Sequence, residues 1–184
     1  NSKKQRHIFV NKLFFCSHPN YHKGTIMEAH SKIPGWIVKY IRKKFLFKSH
    51  KKYIKKLKVF IDRSDSSYSH CKLINNDIVK KYLLSKGFIS LKLGNLSFSK
   101  QVDIFNNSKV IIGPHGAGLA NLIFCKKKTK VFEIKPIGVK NKVYQKISGL
   151  NKLNYKLIEL NKIEGSNEGD MLLNLKLLKK KLRN

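Results

Sequence analysis

Acidic residues are scarce in this chain. Ten Asp and Glu stand against forty Lys and Arg in 184 residues, a formal net charge of +30 at pH 7. Such a balance excludes a self-neutralising surface and makes anions the natural partners: nucleic acid, phosphorylated small molecules, acidic glycans or lipid headgroups. Arginine is also scarce, at Arg6, Arg42, Arg63 and Arg183 only. Proteins that read bases lean on arginine forks and interleaved aromatics. An even spread of lysine argues against a specific nucleic-acid reader and fits an A-rich coding sequence. No apolar run approaches the roughly 18 residues of a membrane-spanning helix. The three cysteines, Cys16, Cys71 and Cys125, form no Cys-x-x-Cys and no metal-type spacing, and their odd number favours a reducing compartment. The chain begins with Asn1 rather than Met, so we expect a piece of a longer protein, and a leader or anchor is not excluded.

What is present is an alternation of short apolar runs and helical patterns, with 41% hydrophobic residues to build a core. Strands are expected at Arg6–Phe15, Lys58–Asp62, Phe88–Leu93, Lys109–Gly113, Lys130–Pro136 and Tyr155–Leu160. Helices are expected at Gly35–Lys58, Asn75–Gly87, over LSFSKQVDIFNNS, at Gly116–Phe124, Asn141–Leu150 and Glu168–Leu182. SHPNYHKG and RSDSSYSHCKL read as loops. Strand and helix in turn mean βα units and an α/β fold with a mostly parallel sheet. The helix from Trp36 to Lys58 is basic and aromatic. A solvated lysine face over a packed one is the simpler account of it, and a membrane-surface face the alternative.

The segment VIIGPHGAGLANLIF, Val110 to Phe124, puts a tight turn between two apolar runs. Its glycines have neither GxGxxG nor Walker spacing, and no GxSxG elsewhere supplies a nucleophile that would make it an oxyanion hole. In an open α/β sheet, ligands bind beyond the carboxyl ends of the strands. A glycine turn there brings backbone amides and a helix N-terminus close to a phosphate. The plainer alternative is a turn that merely closes, with His115 capping it. The other histidines show no ligand spacing.

Four stretches in order carry a resemblance: IDR (Ile61–Arg63), KLINND (Lys72–Asp77), LSFSKQVDIFNNSKVIIGPHGAGLANLIF (Leu96–Phe124) and KVFEIKP (Lys130–Pro136). They resemble the family 61 glycosyltransferases, the DUF563 group. Its pattern runs roughly I-S-R, R-x-x-N-E, L-S-F-x-E-Q, G-x-H-G-A-G-L-x-N and V-x-E-I. The family includes protein O-linked N-acetylglucosaminyltransferases, plant xylosyltransferases and bacterial polysaccharide enzymes. The resemblance is firm across about residues 58–136. It implies a GT-B architecture of two Rossmann-like lobes. Residues 58–184 would be the C-terminal, donor-nucleotide-binding lobe, and residues 1–57 a remnant of the interlobe or N-terminal region. It further implies an inverting, metal-independent transfer from a nucleotide sugar, usually a UDP-sugar. The sequence itself has no Asp-x-Asp pair to hold a divalent cation, so no metal or other cofactor is expected and the diphosphate charge falls to protein cations and amides.

On the matched positions, the resemblance makes Arg63 a planar fork for the diphosphate; its alternative is a surface pair with Asp62 or Asp65. Lys72 stands where the family usually has arginine, and Asn76 where it usually has glutamate; Lys100 replaces a common glutamate. His115 is the expected catalytic residue, at the phosphates or the sugar, with the acceptor base unassigned. Gly113, Gly116, Ala117 and Gly118 form the donor turn. Glu133 could accept from ribose or sugar hydroxyls, or simply neutralise a lysine. Ser97 and Gln101 are expected near the nucleobase, Phe98 in the core, and Asn121 as a tie between its helix and a neighbouring loop.

The expected function is sugar transfer to a glycan, lipid-linked or protein acceptor. Two readings compete with it: a non-catalytic nucleotide-sugar or anionic-glycan binding module, and a basic nucleic-acid binder. Peripheral membrane contact is expected to be compatible with the charge. Location follows the source: cytoplasmic in a bacterium, the membrane surface included, and the secretory lumen in a eukaryote.

Overall fold

The structure, a computed structural model, describes residues 11–12, 32–46, 56–64, 70–165 and 169–183. All but two residues of the expected strand at Arg6–Phe15, and the loop that follows it, lie outside these. Five strands, β1 (Leu57–Ile61), β2 (Ile89–Leu91), β3 (Ser108–Pro114), β4 (Lys130–Pro136) and β5 (Asn154–Leu160), form one sheet in the order β2-β1-β3-β4-β5. Every neighbouring pair is parallel. The helices are α1 (Gly35–Leu46), α2 (Asn76–Ser85), α3 (Phe98–Asn106), α4 (Val143–Leu150) and α5 (Leu175–Arg183). The fold is α/β and Rossmann-like. Among the described residues no helix is long and apolar enough to cross a membrane.

Both faces of a parallel sheet are covered, so its strands bury side chains in alternation on two sides. Val59, Ile61, Ile111 and Val131 point into one cluster with Val102 and Phe105 of α3, Ile147 of α4 and Val38 of α1. Phe60, Ile112, Phe132, Ile134 and Ile158 point into the other, with Val79 and Leu83 of α2 and Leu178 of α5. Burying a large apolar side chain contributes about 1.5–3 kcal/mol, so these two stripes hold the layers together.

The structure departs from expectation in four respects. The helix expected to reach Lys58 is described as helix only to Leu46, and Leu57 and Lys58 already belong to β1. The apolar run Leu57–Ile61 has partners on both sides in β2 and β3, and pairing outweighs helical spacing there. On α1, Trp36 and Tyr40 are each 61% exposed, so the packed face is narrower than the aromatic content implies. The helix expected from Glu168 begins only at Leu175, because Met171 is spent on bridges to Leu73 and Lys162. Finally, Ala117–Phe124 is a 3-10 helix rather than an α-helix. Carbonyls near its end are taken by side chains: Arg42 donates to Ile123 and Cys125, and Asn151 to Leu122 and Ile123.

Candidate active site

The strand order makes β1 and β3 the topological switch point. From β1 the chain travels one way to β2, and from β3 the other way to β4, which opens a crevice at the carboxyl ends of these two strands. Arg63 follows β1, and the turn from Pro114 to Gly118 follows β3. The two meet: Arg63 Nη1 donates to the His115 carbonyl and, at 3.2 Å, to the His70 carbonyl. The alternative, a pair with Asp62, is not made; Asp62 binds Lys80 instead. Asp65 lies outside the described residues.

The glycines of the turn are occupied by the protein itself. A Cβ on Gly116 would lie 2.5 Å from Arg63 Cζ, and the backbone there has φ +156°, ψ 173°, a region essentially reserved for glycine. A Cβ on Gly113 would meet Ile61 Cβ at 2.8 Å, and one on Gly118 would meet Leu93 Cδ1 at 2.9 Å. The first need for small residues is therefore the close seating of the turn on β1, on Arg63 and on the 3-10 turn Leu93–Asn95. Ala117 is exposed at the head of the 3-10 helix.

His115 is buried at 5% exposure, and its backbone N–H donates to the Ile134 carbonyl at 2.7 Å. Its Nδ1 is hydrogen-bonded to Oε1 of Glu133, itself 2% exposed, and Tyr155 donates its hydroxyl to Oε2 of the same carboxylate. A carboxylate only accepts, so Nδ1 is the donor of this pair. Among the described residues nothing bonds Nε2, and it is not sealed from solvent. The Tyr144 ring lies 5.1 Å from the imidazole, centroid to centroid. Burial, reinforced by the Glu133 charge, pushes the Tyr144 phenol up to about 12. Burial and then the bond to Glu133 push Tyr155 higher still, so it stays a neutral donor. Glu133 thus turns inward to His115 and Tyr155 rather than to a lysine.

Behind Arg63, Asp62 is 2% exposed. It accepts from the Ser64 N–H at 3.0 Å, Asn76 Nδ2 at 3.2 Å, Lys80 Nζ at 3.3 Å and Ser90 Oγ at 3.5 Å. Burial works against its charge, but the Ser64 bonds and Lys80 together outweigh that and hold its carboxyl below the ordinary 3.8. Asn76 has a definite partner here, the carboxylate of Asp62. Lys72 is half-buried, and its carbonyl accepts from Met171 N at 2.8 Å.

Ser97 caps α3, accepting from Lys100 N at 3.4 Å. The Gln101 amide is a clamp: its nitrogen donates to the Leu93 and Leu96 carbonyls at 3.0 and 3.1 Å, and its oxygen accepts from Asn121 at 2.9 Å. Asn121 thus ties its helix to α3 rather than to a loop. Phe98, expected in the core, is 50% exposed and packs edge-on against Phe45 and Phe124.

Spacing and motif alone do not reveal Tyr144, Tyr155 or the buried Lys135, whose Nζ donates to the Asn141 carbonyl at 3.3 Å. Only the register of β4 against β5 shows Tyr155: it pairs with Val131, two residues before Glu133 on the same face. Cys71 and Cys125 are buried free thiols, both raised by burial. Among the described residues no group of three His, Cys, Asp or Glu side chains could hold a metal.

A family model described as Glycosyltransferase 61 matches residues 4–132, which takes in Arg63, Lys72 and the whole glycine turn and stops one residue short of Glu133. No curated protein matches the chain.

Proposed function

This chain belongs to glycosyltransferase family 61, and on that premise we propose that it holds the donor in an inverting, metal-independent transfer from a nucleotide sugar, a UDP-sugar first of all. The observation that carries the reading is the meeting of Arg63 with the His115 turn at the β1/β3 crevice, with the imidazole fixed from behind by Glu133 and Tyr155. In an inverting transfer the acceptor hydroxyl attacks the anomeric carbon as the bond to the diphosphate breaks, and negative charge grows on the leaving oxygen. Cations and amides set in place beforehand stabilise that charge without reorganising. Arg63 and Lys72 supply the charge, and the turn after β3 supplies amides. His115, held by Glu133, offers Nε2 as an acceptor when neutral and as a donor to a phosphate oxygen when protonated. The acceptor, a glycan, a lipid-linked sugar or a protein, meets the donor in a cleft against a second lobe of a GT-B enzyme, and the base that takes its proton belongs to that cleft.

Titration calorimetry with UDP tests the reading. Binding should be equal within twofold in chelator and in added magnesium, because protein groups meet the diphosphate. A tenfold gain with magnesium or manganese overturns the metal-independent scheme. In an active form of the enzyme, His115→Ala should abolish most turnover while the fold survives; unchanged turnover removes His115 from the mechanism.

A further inference from the structure

A cavity lies at the opposite end of the sheet from the β1/β3 crevice. It encloses about 700 Å³ between the starts of β1, β3 and β4, the end of α2 and the end of α5. Its floor is apolar and aromatic, with Tyr82, Phe88, Val110, Phe132 and Leu182. Its other lining residues are Lys58, Lys86, Lys130, Lys179, Arg183 and Ser85, so five of eleven are cations and none is an acid. In a chain with 40 basic residues in 184, two or three cations would be expected by composition, so this is an enrichment.

The ammonium groups are held over the aromatic floor. Lys58 Nζ lies 5.7 Å from the Phe88 ring centre, while Lys86 and Lys179 lie 5.8 and 5.4 Å from that of Tyr82. Lys58 also donates to the Lys86 carbonyl at 2.9 Å. Cation–π attraction orients such charges at modest cost. A second hollow at the same end carries Lys56, Lys109, Lys126, Lys127 and Lys128. None of the seven described carboxylates, Asp62, Asp77, Asp103, Glu133, Glu159, Glu164 and Asp170, lines either hollow.

A concave site with an apolar floor and a rim of one sign selects a ligand with the same division: an anionic head on an apolar body. An inorganic anion would leave the floor unused. A nucleic acid would be met by lysine point charges, with Arg183 as the one planar fork. We propose that this basin is a binding site for an anionic amphiphile, a phosphate monoester or diester with an apolar chain, its phosphate among Lys86, Lys130 and Lys179 and its chain on Tyr82, Phe88 and Leu182. The site is separate from the crevice and does not depend on sugar transfer taking place there.

The test is calorimetry with octyl phosphate below its micelle concentration, in about 0.3 M salt so that the net field is screened to several ångströms. The protein is the 184-residue chain, and circular dichroism checks the fold of each variant. Octyl phosphate should bind at least tenfold more tightly than inorganic phosphate. Lys86→Glu with Lys179→Glu should cut that affinity at least tenfold. Lys43→Glu with Lys146→Glu, the same change of charge placed on α1 and α4, should cut it less than threefold. Equal losses in the two pairs, or equal binding of the two phosphates, would overturn the site and leave only a field. A single-stranded oligonucleotide that binds more tightly than octyl phosphate and is lost with the same first pair would also overturn it. Vesicles containing about 30% phosphatidylglycerol distinguish the sources: binding lost with the first pair assigns the head to a bilayer lipid, and no vesicle binding assigns it to a free amphiphile.

Discussion

Arg63 and Gly116 are one device made of two residues. The guanidinium occupies the space a side chain at Gly116 would need, and its hydrogen bond to the His115 carbonyl fixes the turn that presents the imidazole. Gly116→Ala should therefore cost about 1–3 kcal/mol, the range for backbone forced into such a region, read from urea unfolding. Arg63→Ala should weaken nucleotide diphosphate binding by about 1.5–3 kcal/mol, read by calorimetry; an unchanged affinity would reduce Arg63 to a brace for the turn. Asp62 provides a pH test. Its folded pKa is depressed, so its contribution is present above the ordinary 3.8 and is lost as the pH falls below it. Asp62→Asn should melt below the unchanged protein at pH 7, and the gap should narrow below pH 3.8. A gap that widens in acid contradicts a depressed pKa for Asp62.

Among the elements, the 3-10 helix Ala117–Phe124 shows how much is legible in the sequence and how much is not. Its place after an apolar strand and a glycine turn follows from spacing. Its tighter winding does not, because donors that satisfy its end come from Arg42 and Asn151, at sequence separations of 28 to 83 residues. Asn151→Ala leaves two buried carbonyls without that amide and should cost about 1–3 kcal/mol in urea unfolding, against a near-neutral change at exposed Asn95. The same logic covers the other differences. The alternation along β3 and β4 is local, and the sequence shows it directly. The loss of the first half of the last helix is not legible, because Met171 bridges Leu73 almost a hundred residues away. At the site, Arg63 and His115 lie in recognisable segments, whereas Tyr155 depends on strand register and Tyr144 on how α4 lies against the turn.

For the whole molecule, the expectation concerns what a single lobe of the proposed GT-B scheme can do. Holding an acceptor hydroxyl against the anomeric carbon supplies much of the advantage of catalysis, and in the GT-B scheme that needs a facing lobe. Residues 1–184 should thus bind UDP weakly, in preference to pyrophosphate and in about 0.3 M salt, yet transfer no sugar. A radiolabelled-donor assay checks this, and transfer by this chain alone would mean the whole active site lies within it.

The strand order also makes one pairing of the sheet costly to close. Strands β1 and β3 are neighbours in space, but β2 and two helices intervene along the chain, and Arg63 lies 52 residues from the carbonyl it holds. Non-local pairings are slow because the entropy of closing the loop is lost before contacts compensate for it. Until that closure, the facing edges of β1 and β3 are open to pairing with another chain, and mutual repulsion between chains of charge +30 keeps such encounters rare. The crevice exists only once this pairing has closed, so a chain in which it is open carries every residue of the site and none of its geometry.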